Sequence, residues 1–306
     1  MVRSDRLNGQ IRKALSGFYY VYAEGETYQT RARGNFRNRK ITPLVGDDVI
    51  FESDNLTDGY LLEILPRENE LVRPSVANVD IGVVVMSMIE PNFSYNLLDR
   101  FLVALEHKRI QPVIYLTKID LLEEAGLKQL DNIRQVYQSS YPIIIGDRSD
   151  EDQRSIRELE QYFPDRLTVF MGQSGAGKST LLNKISPELQ LTTGEISEAL
   201  GRGKHTTRHV ELIPLYDGLV ADTPGFSSIE FLEMDAVELP KQFPEFVKAS
   251  TGCKFRECMH RKEPGCEVKK EVAEGTIAQV RYDNYLQFLS EIEDRRPVYK
   301  KKSKGN

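Results

Sequence analysis

The sequence predicts a multidomain chain: a small β-barrel, a doubly wound α/β domain, and a small helical module stapled by a metal. Three observations carry this. Short β-rich runs separated by turn residues fill roughly the first seventy positions; from Val79 apolar strands alternate with amphipathic helices; and all three cysteines lie between Cys253 and Cys266. The corresponding boundaries are 1–70, 71–235 and 236–306.

Composition narrows the class before any motif is read. Of 306 residues, 40% are hydrophobic and 28% charged, the balance of a soluble globular protein. A net charge of −5 argues against wholesale coating of nucleic acid, so RNA contacts must come from local patches. No N-terminal stretch has the charged, apolar and small-residue regions of a signal peptide. The longest apolar run, Ile81–Ile89, is far too short to span a bilayer. Three clustered cysteines make no disulfide framework, so a cytoplasmic protein without membrane partners is expected.

Five runs make up the first part: Gly9–Leu15, Phe18–Ala23, Thr27–Arg33, Asp48–Glu52 and Tyr60–Leu65. Gly25, Gly34, Gly46-Asp47-Asp48 and Asp58-Gly59 separate them. That pattern suits a Greek-key barrel of the OB type, with an SH3-like barrel the near alternative. Arg31 to Lys40 holds five cations besides Phe36, a loop composition suited to phosphate contact and base stacking, or to a solvated hairpin.

In the second part, Ile81–Met88, Pro112–Leu116, Tyr141–Ile145 and Leu167–Met171 read as strands. Leu97–His107, Glu123–Gln138 and Ser155–Tyr162 read as helices by their three- and four-residue apolar spacing. Such alternation implies a mostly parallel sheet with ligands at the carboxyl ends of its strands. Gly172-Gln173-Ser174-Gly175-Ala176-Gly177-Lys178-Ser179, followed by Thr180, is a phosphate-binding loop placed after a strand and before a helix, as its mechanism requires. Its backbone N–H groups would surround a polyphosphate. Lys178 would reach the β- and γ-phosphates, and the Ser179 hydroxyl would hold Mg²⁺.

Thr117-Lys118-Ile119-Asp120 is similar to the guanine-specificity motif Asn-Lys-x-Asp. The Asp120 carboxylate can accept from guanine N1–H and the exocyclic amine, a donor pair adenine lacks. The Lys118 stem would cover the base. Thr117 stands where Asn is usual, so an amide tether is expected to be missing. Asp222-Thr223-Pro224-Gly225 ends a strand and has the D-x-x-G form, where Asp222 orients Mg²⁺ and the Gly225 N–H senses the γ-phosphate. Either Thr206 or Thr207, in the polar loop Gly201–Arg208, is a candidate for contact with the ion and that phosphate. His205 is the nearest polar candidate for orienting water, or a loop residue touching phosphate. Phe226 follows Gly225 and cannot position water, so slow intrinsic turnover is expected. The segment after Ile145, where a further base contact belongs, has no clean match and stays unassigned.

The order of these motifs sets the fold class. A conventional GTPase runs phosphate loop, threonine, D-x-x-G, base motif; here the base motif comes first. The fold class is therefore an N-terminal OB-type β-barrel, a circularly permuted α/β P-loop GTPase and a C-terminal zinc-binding helical module. Permutation leaves the D-x-x-G segment running directly into the last module, so hydrolysis could move that module.

Cys253, Cys258, His260 and Cys266 supply three thiolates and an imidazole, a closed tetrahedral shell for one structural zinc ion. Seven basic residues between Lys248 and Lys270 face three acids, Glu257, Glu263 and Glu267, so RNA contact is a reading alongside plain metal stabilisation. Val272–Ile292 reads as helical.

Taken together these residues resemble the ribosome small-subunit-dependent GTPase A family over nearly the whole chain. The resemblance implies GTP hydrolysis to GDP and phosphate, stimulated by the small ribosomal subunit, during late maturation of that subunit. It implies binding to rRNA in the GTP state and departure after hydrolysis, by a monomer carrying Zn²⁺ and using Mg²⁺ with GTP. It also makes Gly201–Arg208 a threonine-containing switch loop. A permuted GTPase of the large subunit, and a nucleotide-gated RNA scaffold with incidental turnover, are the alternatives.

Overall fold

A computed structural model describes residues 6–34, 36, 41–72, 74–146, 153–187, 210–222 and 234–295. By contact the described residues form two compact units, one drawn from 1–94 and 108–228, the other from 95–107 and 229–306.

The first unit opens with β1 (Arg6–Leu15), β2 (Phe18–Ala23), β3 (Glu26–Ala32), β4 (Asp48–Ser53) and β5 (Gly59–Ile64). They run β1-β2-β3-β5-β4, and β4 closes on β1. The β3–β5 pair is parallel and the rest antiparallel. That crossover and closure make an OB-type barrel rather than an SH3-like one. Alternate residues point inward, and Ile11, Val21, Val49, Phe51 and Leu61 are fully buried inside it. Strand β1 pairs with β2, β4 and, further on, a strand of the α/β region, and its ladder with β2 is irregular between Ile11 and Lys13, where a bulge bends it. Below the barrel, buried Asp47 accepts from Arg67 Nε at 2.6 Å, Arg67 Nη2 at 2.9 Å and the Leu44 N–H at 2.7 Å. Two short strands, β6 (Glu70–Leu71) and β7 (Val76–Ala77), form a hairpin before the α/β region.

The α/β sheet contains β8 (Ile81–Ser87), β9 (Gln111–Thr117), β10 (Ile143–Ile145), β11 (Leu167–Met171), β12 (Glu211–Leu215) and β13 (Gly218–Asp222). Its helices, in chain order after α1 (Tyr95–His107), are α2 (Glu124–Tyr137), α3 (Arg154–Glu160) and α4 (Lys178–Ile185). The order is β10-β9-β8-β11-β13-β12, parallel except for β12 at the edge. Every residue of β8 and β11 is buried, as expected of strands covered on both faces. The strand bearing the base motif, β9, thus lies one strand away from the strand feeding the phosphate loop, β11, although 50 residues separate Thr117 and Leu167 in sequence. This is the permuted arrangement. Lys13 of β1 pairs with Glu211 of β12, and their side chains meet at 2.7 Å, so barrel and α/β strands share one sheet.

The second unit holds α1, a 3-10 turn (Leu239–Gln242), α5 (Pro244–Ser250), α6 (Glu267–Glu274) and α7 (Gln279–Glu293). Phe243, Phe246, Tyr285 and Phe288 fill its core without exposure. The single helix expected over Val272–Ile292 is instead two. Gly275 adopts φ 82° and closes α6, its N–H returning to Glu271 and Val272, a conformation that only glycine adopts cheaply. Ile277 then enters the core and α7 starts afresh.

Candidate nucleotide site and metal centre

The phosphate loop follows from its glycines. Gly172, Gly175 and Gly177 take φ of 140°, 76° and 93°, backbone that side-chain-bearing residues avoid. At Gly172 a Cβ would also run into the Val85 carbonyl of the neighbouring strand. Ala176 is fully buried and anchors the loop to the core formed by Val83, Val85, Phe170 and Leu181. The turn therefore delivers α4 with its first N–H groups, which have no intrahelical acceptors, at the carboxyl end of β11. Ser179 and Thr180 fall in the first turn of that helix. Lys178 folds over the loop, its Nζ donating to the Gly172 carbonyl at 2.6 Å and the Gln173 carbonyl at 2.9 Å. Burial pushes its ammonium down to about 8, so an anion in the loop would be the natural partner restoring full charge.

The base motif meets this loop. Thr117, Lys118, Asp120, Gly177 and Thr180 line one cleft of about 290 Å³, together with Tyr115, Leu121, Gly146, Leu181 and Lys184. Asp120 is exposed there, with its carboxylate available as an acceptor. The tether expected to be lost with Asn is present in another form. Thr117 Oγ1 donates to the Ala176 carbonyl at 2.7 Å, tying the base motif directly to the phosphate loop.

The segment after Ile145, unassigned from sequence, begins with Gly146. That residue directly follows β10, its N–H donates to the Leu116 carbonyl at 2.8 Å, and a Cβ there would strike the Tyr115 ring. Tyr115 is in turn fixed by its hydroxyl, 3.0 Å from Ser155 Oγ. A glycine directly after an Ile-Ile-Ile strand was the available signal. Asp222 closes β13, the strand paired in parallel with β11. The candidates His205, Thr206, Thr207 and Gly225, the rest of Gly201–Arg208, and Asp147–Ser149 lie outside the described residues.

The second cluster is made of side chains. The ligand atoms of Cys253, Cys258, His260 and Cys266 all lie within 4.8 Å of one another. His260 Nδ1 stands 3.8 Å from Cys253 Sγ and 3.4 Å from Cys266 Sγ. Tetrahedral zinc with bonds of about 2.0–2.3 Å needs separations of roughly 3.5–3.8 Å, so the set fits. Backbone N–H groups of Glu267 and Lys269 point at Cys253 and Cys266 sulfurs from 3.3 and 3.5 Å, the pattern that stabilises thiolates. Burial first, and then the neighbouring Cys258 and Cys253 sulfurs, push Cys266 up to about 12 against the Lys269 N–H, and burial chiefly raises Cys258, so a cation is what lets these sulfurs ionise together. Around them, Glu263 accepts from the Met259 and Arg261 N–H groups, while Tyr282 and Tyr285 hydroxyls donate to the His260 and Met259 carbonyls. The ligand loop is held in shape from both sides.

Three kinds of comparison agree with this geometry. The sequence model for the RsgA GTPase matches residues 64–232, and that for the RsgA N-terminal domain matches residues 8–61. The chain is 77% identical to the small ribosomal subunit biogenesis GTPase RsgA of Enterococcus faecalis, over 97% of this chain and 99% of that protein. To the protein of the same name in Bacillus subtilis it is 53% identical, over 95% and 99%. Among solved structures it is similar to YloQ, described as a circularly permuted GTPase, with a TM-score of 0.81 at 46% identity, over 96% of this chain and 98% of that one. It is also similar to YjeQ from Thermotoga maritima, with a TM-score of 0.82 at 33% identity, over 95% and 100%.

Proposed function

The chain belongs to the RsgA GTPase family and is a GTP-hydrolysing enzyme, and from that premise we propose that it acts in late maturation of the small ribosomal subunit. In this reading GTP is cleaved to GDP and phosphate at a rate raised by the bound subunit, and rRNA is held more tightly in the GTP state. The observation that carries the reading is the shared cleft: Asp120, the guanine acceptor, and Gly177 and Thr180 of the phosphate loop face one volume. The small-subunit role rests on the names of the relatives.

The roles assigned to residues follow from chemistry. Asp120 accepts from guanine, Lys118 covers the base, and Thr117 holds their loop against Ala176. Gly172, Gln173, Ser174, Gly175, Ala176 and Gly177 present the backbone to the phosphates. Lys178 neutralises charge growing on the β- and γ-oxygens. Ser179 would hold Mg²⁺, with Thr206 or Thr207 and Asp222 as the further residues that would surround it. The ion would supply neutralisation of the phosphate charge. Gly225 senses the γ-phosphate, and His205 orients water. Cys253, Cys258, His260 and Cys266 hold a structural Zn²⁺. The protein works as a cytoplasmic monomer; no helix of the described residues is long and apolar enough to cross a membrane.

The test is phosphate release from GTP and from ATP, with purified small or large subunits added in turn. GTP turnover rising several-fold or more with small subunits alone is the expected result; equal rates with and without them would remove the proposal.

A further inference from the structure

A groove of about 820 Å³ lies within the first unit, where the barrel meets the α/β strands. One wall is the outside of the barrel. With Ile11 and Val21 turned into its core, the strand period sets Gln10, Arg12 and Tyr22 outward into the groove. The facing wall is two turns, one just before β11 and one between β12 and β13. They are fastened to each other by the Asp165 N–H, which donates to the Asp217 carbonyl at 2.9 Å. The groove thus lies at the amino ends of the parallel strands, whereas the nucleotide cleft lies at their carboxyl ends.

Its charge is unbalanced. Asp48, Glu68, Asp80, Asp165 and Asp217 set five carboxylates against the two guanidiniums of Arg12 and Arg166, an excess of three negative charges. Asp80 is committed to the Leu167 N–H at 2.7 Å, and Arg166 to the Gln111 side chain at 2.8 Å. Among the described residues no cation pairs with Asp48, Glu68, Asp165 or Asp217. Burial, and then the charges of Asp47 and Glu68, hold the Asp48 carboxyl above its ordinary range, so like charges crowd here without a counter-charge. Arg12 does not relieve them. Its guanidinium lies over the Tyr22 ring, 3.5 Å from the ring centre, and its buried Nε has no hydrogen-bond partner.

The chemistry narrows the occupant. Small-molecule pockets are mostly apolar, and this groove is open and lined largely by charged and polar groups. A nucleic acid brings phosphates, which the excess carboxylates repel. A polyamine brings cations but no acceptor for Arg12. An extended basic peptide brings both, since its main chain carries carbonyls and its side chains carry charge. We infer that the groove is the docking site of an extended lysine- and arginine-rich polypeptide segment, whose cations meet Glu68, Asp165 and Asp217 and whose main-chain carbonyls accept from the Arg12 guanidinium. On a particle of RNA and protein this surface is therefore one for protein. The inference is independent of the nucleotide reading, because the two sites are at opposite ends of the strands.

The test uses the full-length protein and a short fluorescent peptide of alternating lysine and glycine, read by anisotropy. The groove variant combines Glu68→Gln, Asp165→Asn and Asp217→Asn. All three side chains are exposed, and asparagine tolerates the φ of 58° that Asp165 and Asp217 adopt. The loss of three exposed ion pairs is expected to weaken the peptide about tenfold. A control removes the same net charge from exposed positions at and before α2, with Glu123→Gln, Glu124→Gln and Asp131→Asn, and should leave affinity within about twofold. Equal losses in the two variants, or none in the groove variant, would overturn the inference, since binding would then follow net charge alone. Spermine should displace the peptide poorly, and equal potency at equal charge would replace the peptide by any polycation. A labelled oligouridine should bind no more weakly to the groove variant than to the unmutated protein; weaker binding would make the groove an RNA site. Hydrogen exchange gives a reading free of any variant's folding. The peptide should slow exchange across 215–219 and not across Glu124–Tyr137, and an unprotected 215–219 would also end the proposal.

Discussion

The nucleotide cleft and the Cys/His cluster are built from opposite materials. The cleft is shaped by backbone: three glycines at positive φ, a buried alanine, and a threonine hydroxyl on a carbonyl. The cluster is shaped by four side chains converging within 4.8 Å, buttressed by tyrosine hydroxyls and a glutamate on the loop's backbone. One should therefore fail when atoms are added and the other when atoms are removed. Each region keeps its information in a different place: excluded volume on one side, donor chemistry on the other.

The largest effect is expected at the cluster. Zinc sites in small modules contribute apparent binding energies of roughly 10 kcal/mol or more, which are also folding energies. Cys266→Ser should lower zinc content from one ion to near none and melt the helices around the site, α6 and α7. Metal content by mass spectrometry and far-UV circular dichroism check this; a variant that keeps both would show the cluster to be held by its core alone.

Next comes the buried ion-pair group of Asp99, Arg281 and Glu245 in that unit. Arg281→Met deletes the cation between Asp99 and Glu245 while keeping apolar bulk over Phe243, whose ring centre lies 4.5 Å from the guanidinium. It leaves the fully buried Asp99 with the Asn284 amide but without its cation, so a loss of about 3–5 kcal/mol is expected in urea unfolding. A loss below about 1 kcal/mol would mean that the ion pair is of little consequence.

In the cleft the informative variant adds an atom. Gly146→Ala pushes a methyl into the Tyr115 ring, which is braced by Ser155 and cannot yield cheaply. Overpacking of about 1–3 kcal/mol spread into the cleft wall predicts a tenfold to hundredfold weaker GDP dissociation constant. Isothermal titration checks it. Thr117→Val, which removes only the hydroxyl, should cost about 1 kcal/mol, or some fivefold in affinity. If the deletion hurts more than the insertion, the contrast between the two regions fails.

Gly146 and Thr117 also show what a sequence can and cannot convey. The barrel strands, the glycine-rich loop and the Cys/His cluster are legible because turn glycines, strand alternation and cysteine spacing are local signals. The parallel sheet follows from alternation, and its permutation from motif order. Gly146 is not legible: its role depends on Tyr115, thirty-one positions earlier, and on two strands being adjacent. Thr117 misleads for the same reason, since its acceptor, Ala176, is brought in only by the fold. The helix break at Gly275 is hidden because the apolar spacing on either side resembles one continuous face. Distance in sequence hides partners that tertiary structure supplies.

The smallest effect distinguishes packing from charge in the unit that carries the cluster. Glu291 is held below its ordinary range chiefly by hydrogen bonding to Arg100, against a burial penalty, with help from Gln287. A depressed carboxylate contributes stability that is complete above its unfolded value, near 4.3, and is lost as pH falls through the lowered native value. The Glu291 side chain retains 40% exposure, so solvent screens the pair and only about 0.5 kcal/mol is expected. Glu291→Gln should thus lower the melting temperature by roughly 1–2 °C at pH 7, a difference that vanishes once the pH lies well below the lowered native value. A difference that persists unchanged into acid would show that the contact acts through shape, as the cleft does, and not through ionisation.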